Sequence, residues 1–291
     1  MKVWMPLVAA LLALAPSLHA QEKLVVQGYS ADQTQHAVEE IVQPASGRQI
    51  ARWDRTVCSQ FIGFPAGVEE NFQTHLTERF AKYGVHLRAN CRIPRLFILA
   101  TVHEDDLISH ILDRDPYLMQ GLDTSPVFND NIRLPSPRVK KALQESYPVR
   151  WFADVGIEDT YHMPMHVGPT LMAPAYVHEP LMTSFLGSQT VETIKYMAVT
   201  VDLSKMDGVS WPSLYEYVSM IALTNPALKD YDTTESILGS FVQKKQPQQG
   251  SFSMTNLDDA IVHQVYSLDP AEDGRSETQK ITWDVTASLH H

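Results

Sequence analysis

Thr56-Val57-Cys58-Ser59-Gln60-Phe61-Ile62-Gly63-Phe64 and, further along, Leu96-Phe97-Ile98-Leu99-Ala100-Thr101-Val102 are the two runs on which the fold turns. The first is β-branched and aromatic and stops at Gly63-Phe64-Pro65, a strand followed by a turn. Between the runs, Val68, Phe72, Leu76, Phe80 and Tyr83 recur at helical spacing, and Gly84 stands where a helix is capped. The second run is continuously apolar over the length of a buried strand, and Glu104-Asp105-Asp106 behind it suit the first turn of a helix reaching Leu112. Strand, helix, strand, helix in succession predicts an α/β (or α+β) fold, a mixed sheet covered by helices.

Downstream, Tyr196 to Leu203 reads as another strand. Ser213-Leu214-Tyr215-Glu216 has the spacing of a capping box, with Pro212 just outside, and opens a helix to about Leu223. Leu214, Tyr217, Val218, Met220, Ile221 and Leu223 cover nearly its whole circumference, so it should be central and buried, and Asn225-Pro226 ends it. Further helices are predicted near Thr234 to Val242 and Asn256 to Tyr266, and a last amphipathic stretch runs from Thr278 to Leu289. Residues 113–135 and 153–190 are rich in Pro, Asp, Gly and Met and read as long irregular segments, with only Val139 to Tyr147 helical between them. Loops of that length in a compact domain are often functional.

Upstream, Lys2, the apolar run Leu7 to Leu14, Pro16 and the exit Leu18-His19-Ala20 have the layout of a secretory signal, too short to span a bilayer. The predicted organisation is a signal peptide over 1–20, a loosely packed arm over 21–50 and a single α/β domain over 51–291. The chain after the signal should be periplasmic or secreted, with no membrane insertion. A 44% hydrophobic and 20% charged composition is that of a globular protein. The formal charge is −11, and removing the signal takes away only Lys2 among charged residues. So acidic a chain without Lys/Arg clusters is a poor partner for nucleic acid or anionic membrane surfaces. Cys58 and Cys91 make an even count in a chain bound for an oxidising compartment, which predicts one disulfide rather than a redox pair or thiolate metal site, since C-x-x-C spacing is absent.

Arg52-Trp53, Val57-Cys58, Gly84-Val85, Cys91, Phe97-Ile98-Leu99, Val201-Asp202, Leu214 to Leu223, Ile237-Leu238, Phe241, Thr255 and Leu257-Asp258 fall in an order that resembles a group of uncharacterised exported proteins of proteobacteria. That resemblance implies the signal, the paired cysteines and a single α/β unit, and no activity. A fainter similarity links the Leu214 to Leu223 helix, with the later Thr-x-x-Asp and Tyr266, to zincin-like, metallopeptidase-type envelope proteins. Such proteins set two histidines one helical turn apart on a metal, with a glutamate beside the first as general base. Here Glu216 takes the glutamate slot, while Tyr215 and Ser219 stand where the ligands should be, so the resemblance implies a degenerate copy without its metal. As half of a capping box, Glu216 has a structural role instead.

Three histidines remain as metal candidates. His162, His166 and His178 share one Pro-interrupted segment with Met163, Met165, Met172, Glu179 and Met182. Imidazole suits zinc or copper and thioether sulfur favours Cu(I), although solvent-exposed histidines and gap-filling methionines give the same pattern. His103-Glu104 and His178-Glu179 each begin a His-Glu-x-x-His, but Leu107 and Met182 occupy the closing positions. His75, inside an apolar helical stripe, reads as a packed histidine. The acidic Glu104-Asp105-Asp106 lacks the alternating ligands and central glycine of an EF-hand loop and reads as a solvated helix start. No nucleophile elbow or phosphate-cradling glycine pattern occurs. The expected function is that of a non-catalytic envelope or secreted protein with a protein or envelope partner. The rivals are a zincin-like metal-dependent hydrolase and a periplasmic copper- or zinc-binding module, both built on His162, His166 and His178.

Overall fold

The computed structural model describes residues 30–42, 49–54, 56–89, 91–116, 124–125, 134–135, 137–159, 168–170, 173–176, 190–231, 235–241 and 247–289. The stretch expected to be a signal, His162, His166 and His178 with their neighbouring methionines, and Glu179 lie outside them.

The two deciding runs are strands β1 (Val57–Ile62) and β3 (Leu96–Thr101), separated by helix α2 (Val68–Lys82) and the short strand β2 (Leu87–Ala89). Before them comes helix α1 (Ala31–Ile41). After β3 follow helix α3 (Glu104–Arg114), the pair β4 (Thr124–Ser125) and β5 (Leu134–Pro135), helix α4 (Pro137–Gln144), strand β6 (Val149–Asp159), the pair β7 (Gly168–Thr170) and β8 (Ala173–Tyr176), and strand β9 (Thr190–Asp202). Helices α5 (Trp211–Thr224), α6 (Asn256–Ser267) and α7 (Gly274–Leu289) complete the chain. The main sheet has the order β2-β1-β3-β9-β6. Its first four strands are mutually parallel and β6 is antiparallel to β9, so the sheet is mixed, as predicted.

Alternate residues of the sheet feed two different cores. Leu96, Ile98, Met197, Val199 and Val201 face the larger one, shared with α2, α5, α6 and α7; Phe97, Leu99, Ala198 and Phe152 face a smaller one beneath α3 and α4. Helix α5 is buried continuously from Ser213 to Thr224, as its all-round apolar pattern requires. Its hydroxyls are absorbed locally: Ser219 Oγ donates to the Tyr215 carbonyl at 2.8 Å and Thr224 Oγ1 to that of Met220 at 2.8 Å. The Cys58–Cys91 disulfide joins β1 to the segment after β2, closing a separation of 33 residues. A loop of that size stabilises the fold by roughly 3 to 4 kcal/mol through the entropy it removes from the unfolded chain. At the carboxyl end of β1, Gly63 turns with φ +81°, and an added Cβ would stand 2.1 Å from the Ala100 carbonyl oxygen. Only glycine lets β1 leave the sheet this close to β3.

Four expectations are corrected. The stretch read as a loose arm carries α1, capped by Ser30 and Gln33, which buries Ala37, Val38 and Ile41 in the main core. Irregularity was expected from residue 153, yet β6 runs on to Asp159 because β9 begins early, at Thr190, and pairs with it throughout. Of the helix predicted near Thr234 to Val242, the described residues 235–241 hold a single 3-10 turn, Ile237–Ser240. Finally, α5 starts at Trp211 with Ser210 as its cap, so Ser213 and Glu216 form no capping box.

Candidate functional site

Freed from capping, the Glu216 carboxylate points from α5 toward α2. There the i, i+4 pair His75 and Arg79 projects from one face and meets it. Arg79 donates to both oxygens, Nε to Oε1 at 2.9 Å and Nη2 to Oε1 at 2.6 Å and to Oε2 at 2.7 Å. The Met254 backbone N–H adds a bond to Oε2 at 3.1 Å, and His75 Nε2 lies 2.8 Å from Oε1. Burial by itself would raise the pKa of Glu216, but the contacts from His75, Arg79 and Met254 outweigh it and hold the carboxyl below the usual range. Asp259, at the start of α6, extends the network by accepting from Lys82 Nζ at 2.7 Å and from the Tyr83 hydroxyl. The network thus clamps α2, α5 and α6 together.

Tyr215 and Ser219, the residues expected at a zinc peptidase's ligand positions, are packing groups here. Tyr215 stacks on Phe72, with ring centroids 4.3 Å apart, and Ser219 is spent on its own helix. His75 is therefore a partly exposed partner of Glu216 rather than a simple core residue.

A second buried glutamate lies at the carboxyl ends of β3 and β9, where open α/β sheets place their ligands. Glu104 opens α3 and is 1% exposed, whereas the adjacent Asp105 and Asp106 are solvated. The reading of the triplet as a solvated helix start is thus corrected for its first member. Thr200 of β9 donates its hydroxyl to Oε1, and Arg150 Nη1 of β6 approaches Oε2 at 3.1 Å. Arg150 is itself fully buried and also serves Asp105 and the Glu145 carbonyl. Nearby, Lys205 Nζ pairs with Asp202 Oδ2 at 2.8 Å. Desolvation raises the Glu104 pKa to about 7, against the opposing pull of Thr200 and Arg150, and the negative charge of Asp202 adds to the rise. Glu104, Ile108 and Leu112 all lie on the buried face of α3. That i, i+4, i+8 row was the available signal, masked by the two solvated aspartates that follow.

Other histidines stand apart: His103 precedes α3 without capping it by its side chain, and His263 pairs with Ser267 of its own helix. Among the described residues, no three His, Cys, Asp or Glu side chains converge on a point that could hold a metal ion, and no helix is long and apolar enough to cross a membrane. Neither a family model, nor a curated protein, nor a solved structure matches the chain.

Proposed function

We propose that this is an exported protein of the cell envelope or its surroundings that works without catalysing a reaction. The carrying observation is the state of Glu216. A general base needs a free lone pair within reach of a water or substrate proton. Here Arg79 and the Met254 N–H occupy both carboxylate oxygens inside a helix interface, and their attraction keeps the group a weak base. In the slot that a zinc peptidase reserves for its base, this carboxylate serves as a structural anion. The Cys58–Cys91 disulfide supports the oxidising address that the leader implies.

Elemental analysis of the protein purified from the periplasm or medium of its host, together with a peptidase assay with and without added zinc, tests the reading. Substoichiometric metal and no turnover are expected. Stoichiometric zinc with peptide hydrolysis would overturn it in favour of a hydrolase using His162, His166 and His178, and stoichiometric copper would point to a metal-binding module on the same residues. Recovery of the uncleaved chain with reduced cysteines from the cytosol would remove the export half.

A further inference from the structure

Helix α7 turns its Glu277, Ile281 and Val285 row into the protein. Off that row stands Trp283, whose side chain is left largely in water at 77% exposure, whereas Trp53 and Trp151 are buried to 5% and 4%. Leaving an indole out forgoes burial worth about 25 cal/mol per Å² of apolar surface, a loss that the fold does not need. The ring is also not isolated on a convex face. It forms one side of an open groove of about 720 Å³ between α1 and α7, within the span of about 300 to 1,000 Å³ usual for small-ligand sites.

The rest of the groove is lined by amides and hydroxyls. Gln279 lies one helical turn before Trp283, and Gln35 lines the groove from α1. Thr278, Thr282 and Thr286 form a second row on α7. Each of the three spends its proton on the carbonyl four residues earlier, at 3.0, 2.9 and 2.7 Å, which leaves its oxygen lone pairs as acceptors. Gln35 donates to Glu39 at 2.8 Å and so keeps its amide oxygen available. An electron-rich ring face beside a row of hydroxyl acceptors and amides suits a ligand with a polarised C–H face on one side and hydroxyl groups around its rim. A pyranose with equatorial hydroxyls has that shape, and chains of them extend along an open groove. The charge in the lining is the carboxylate Glu39, on a chain of net −11, which opposes acidic sugars.

We propose that the α1/α7 groove binds a neutral glycan of pyranoses with equatorial hydroxyls, with one sugar ring stacked on Trp283 and its hydroxyls held by the glutamines and threonines.

Calorimetric titration of the purified full chain with cellohexaose and with chitohexaose tests this. Binding of at least one is expected, with a polygalacturonate oligomer giving no heat. Trp283→Ala should weaken binding at least about tenfold while Trp283→Phe retains most of it, because the stacking surface is what the first removes. Both variants should keep the wild-type melting temperature, since the side chain is exposed. The absence of heat with either neutral glycan, equal affinity in Trp283→Ala, or preference for the acidic oligomer would each overturn the assignment. None of these outcomes depends on whether the protein is exported or catalytic.

Discussion

Among the described residues three buried glutamates face an arginine, Glu277 with Arg52 being the third, and two of them, Glu216 and Glu104, behave oppositely. Glu216 takes the close donors of its arginine: Arg79 forks onto both oxygens and reaches Asp259 only at 3.6 Å, a backbone N–H joins in, and a histidine stands at 2.8 Å. Glu104 shares its arginine: Arg150 divides its donors among Glu104, Asp105 and the Glu145 carbonyl, and Asp202 adds a like charge. Burial penalises both charges. In the first case directed donors overcome the penalty and the pKa falls; in the second they do not, and it rises to about 7. Between these two sites, the number of donors aimed at the carboxylate separates the lowered pKa from the raised one.

The largest expected effect comes from taking the charge away where close donors hold it. Glu216→Gln leaves Arg79 and the Met254 N–H without an anion in a helix interface, and breaking such a pair costs roughly 3 kcal/mol. Urea denaturation at pH 7 should show this as a lowered midpoint with an unchanged slope. Equal stability of the variant would erase the contrast between the two sites.

Next comes the pH response. Glu104 has a folded pKa above its unfolded value, so its contribution to stability is complete below about pH 4.5 and is lost as pH rises through about 7. Between pH 5 and pH 8 the loss is at most roughly 2.5 kcal/mol. Glu216 runs the other way: its contribution is present above the unfolded carboxylate range and is lost as pH falls through its lowered value. Glu104→Gln should therefore flatten the fall in stability from pH 5 to pH 8 and leave the acid limb in place. A variant profile parallel to the wild type would show that Glu104 stays ionised throughout.

These two acids also mark how far the sequence could be read. The β1–α2–β3–α3 succession was legible because each element carries its own period, and the burial of α5 was legible because its apolar residues leave no polar face. Strand β6 was not, since Val149 to Asp159 mixes Gly156 and three acidic residues into a stretch that is extended only because β9 pairs with it across the whole length. Helix α1 is mostly polar along the chain, and its short buried row finds its partner, α7, at the far end of the sequence. The site failed to show for the same reason. Arg79 lies 137 residues from Glu216, and Arg150 reaches Glu104 on α3 from strand β6, so local spacing offered a capping box for one and a solvated helix start for the other. Cys58 and Cys91 were readable because an even cysteine count behind an expected export signal, not geometry, argues for their pairing.

The smallest and sharpest test concerns the hydroxyl beside Glu104. Thr200 Oγ1 donates to the carboxyl from a fully buried position on β9, and this bond favours the ionised form. Thr200→Val keeps the β-branch and the strand but deletes the donor, leaving Arg150 as the main stabiliser of the charge. The titration of Glu104 should move further up, and the variant should lose more stability at pH 8 than at pH 5, the difference being about 1 kcal/mol for one hydrogen bond to a charged group. Carboxyl-selective NMR titration reads the pKa, and denaturation at the two pH values reads the stability. An equal loss at both would mean that the hydroxyl serves the protonated acid as well as the carboxylate. Glu104 would then owe its raised pKa to burial and Asp202 alone, and donor count would no longer explain why it differs from Glu216.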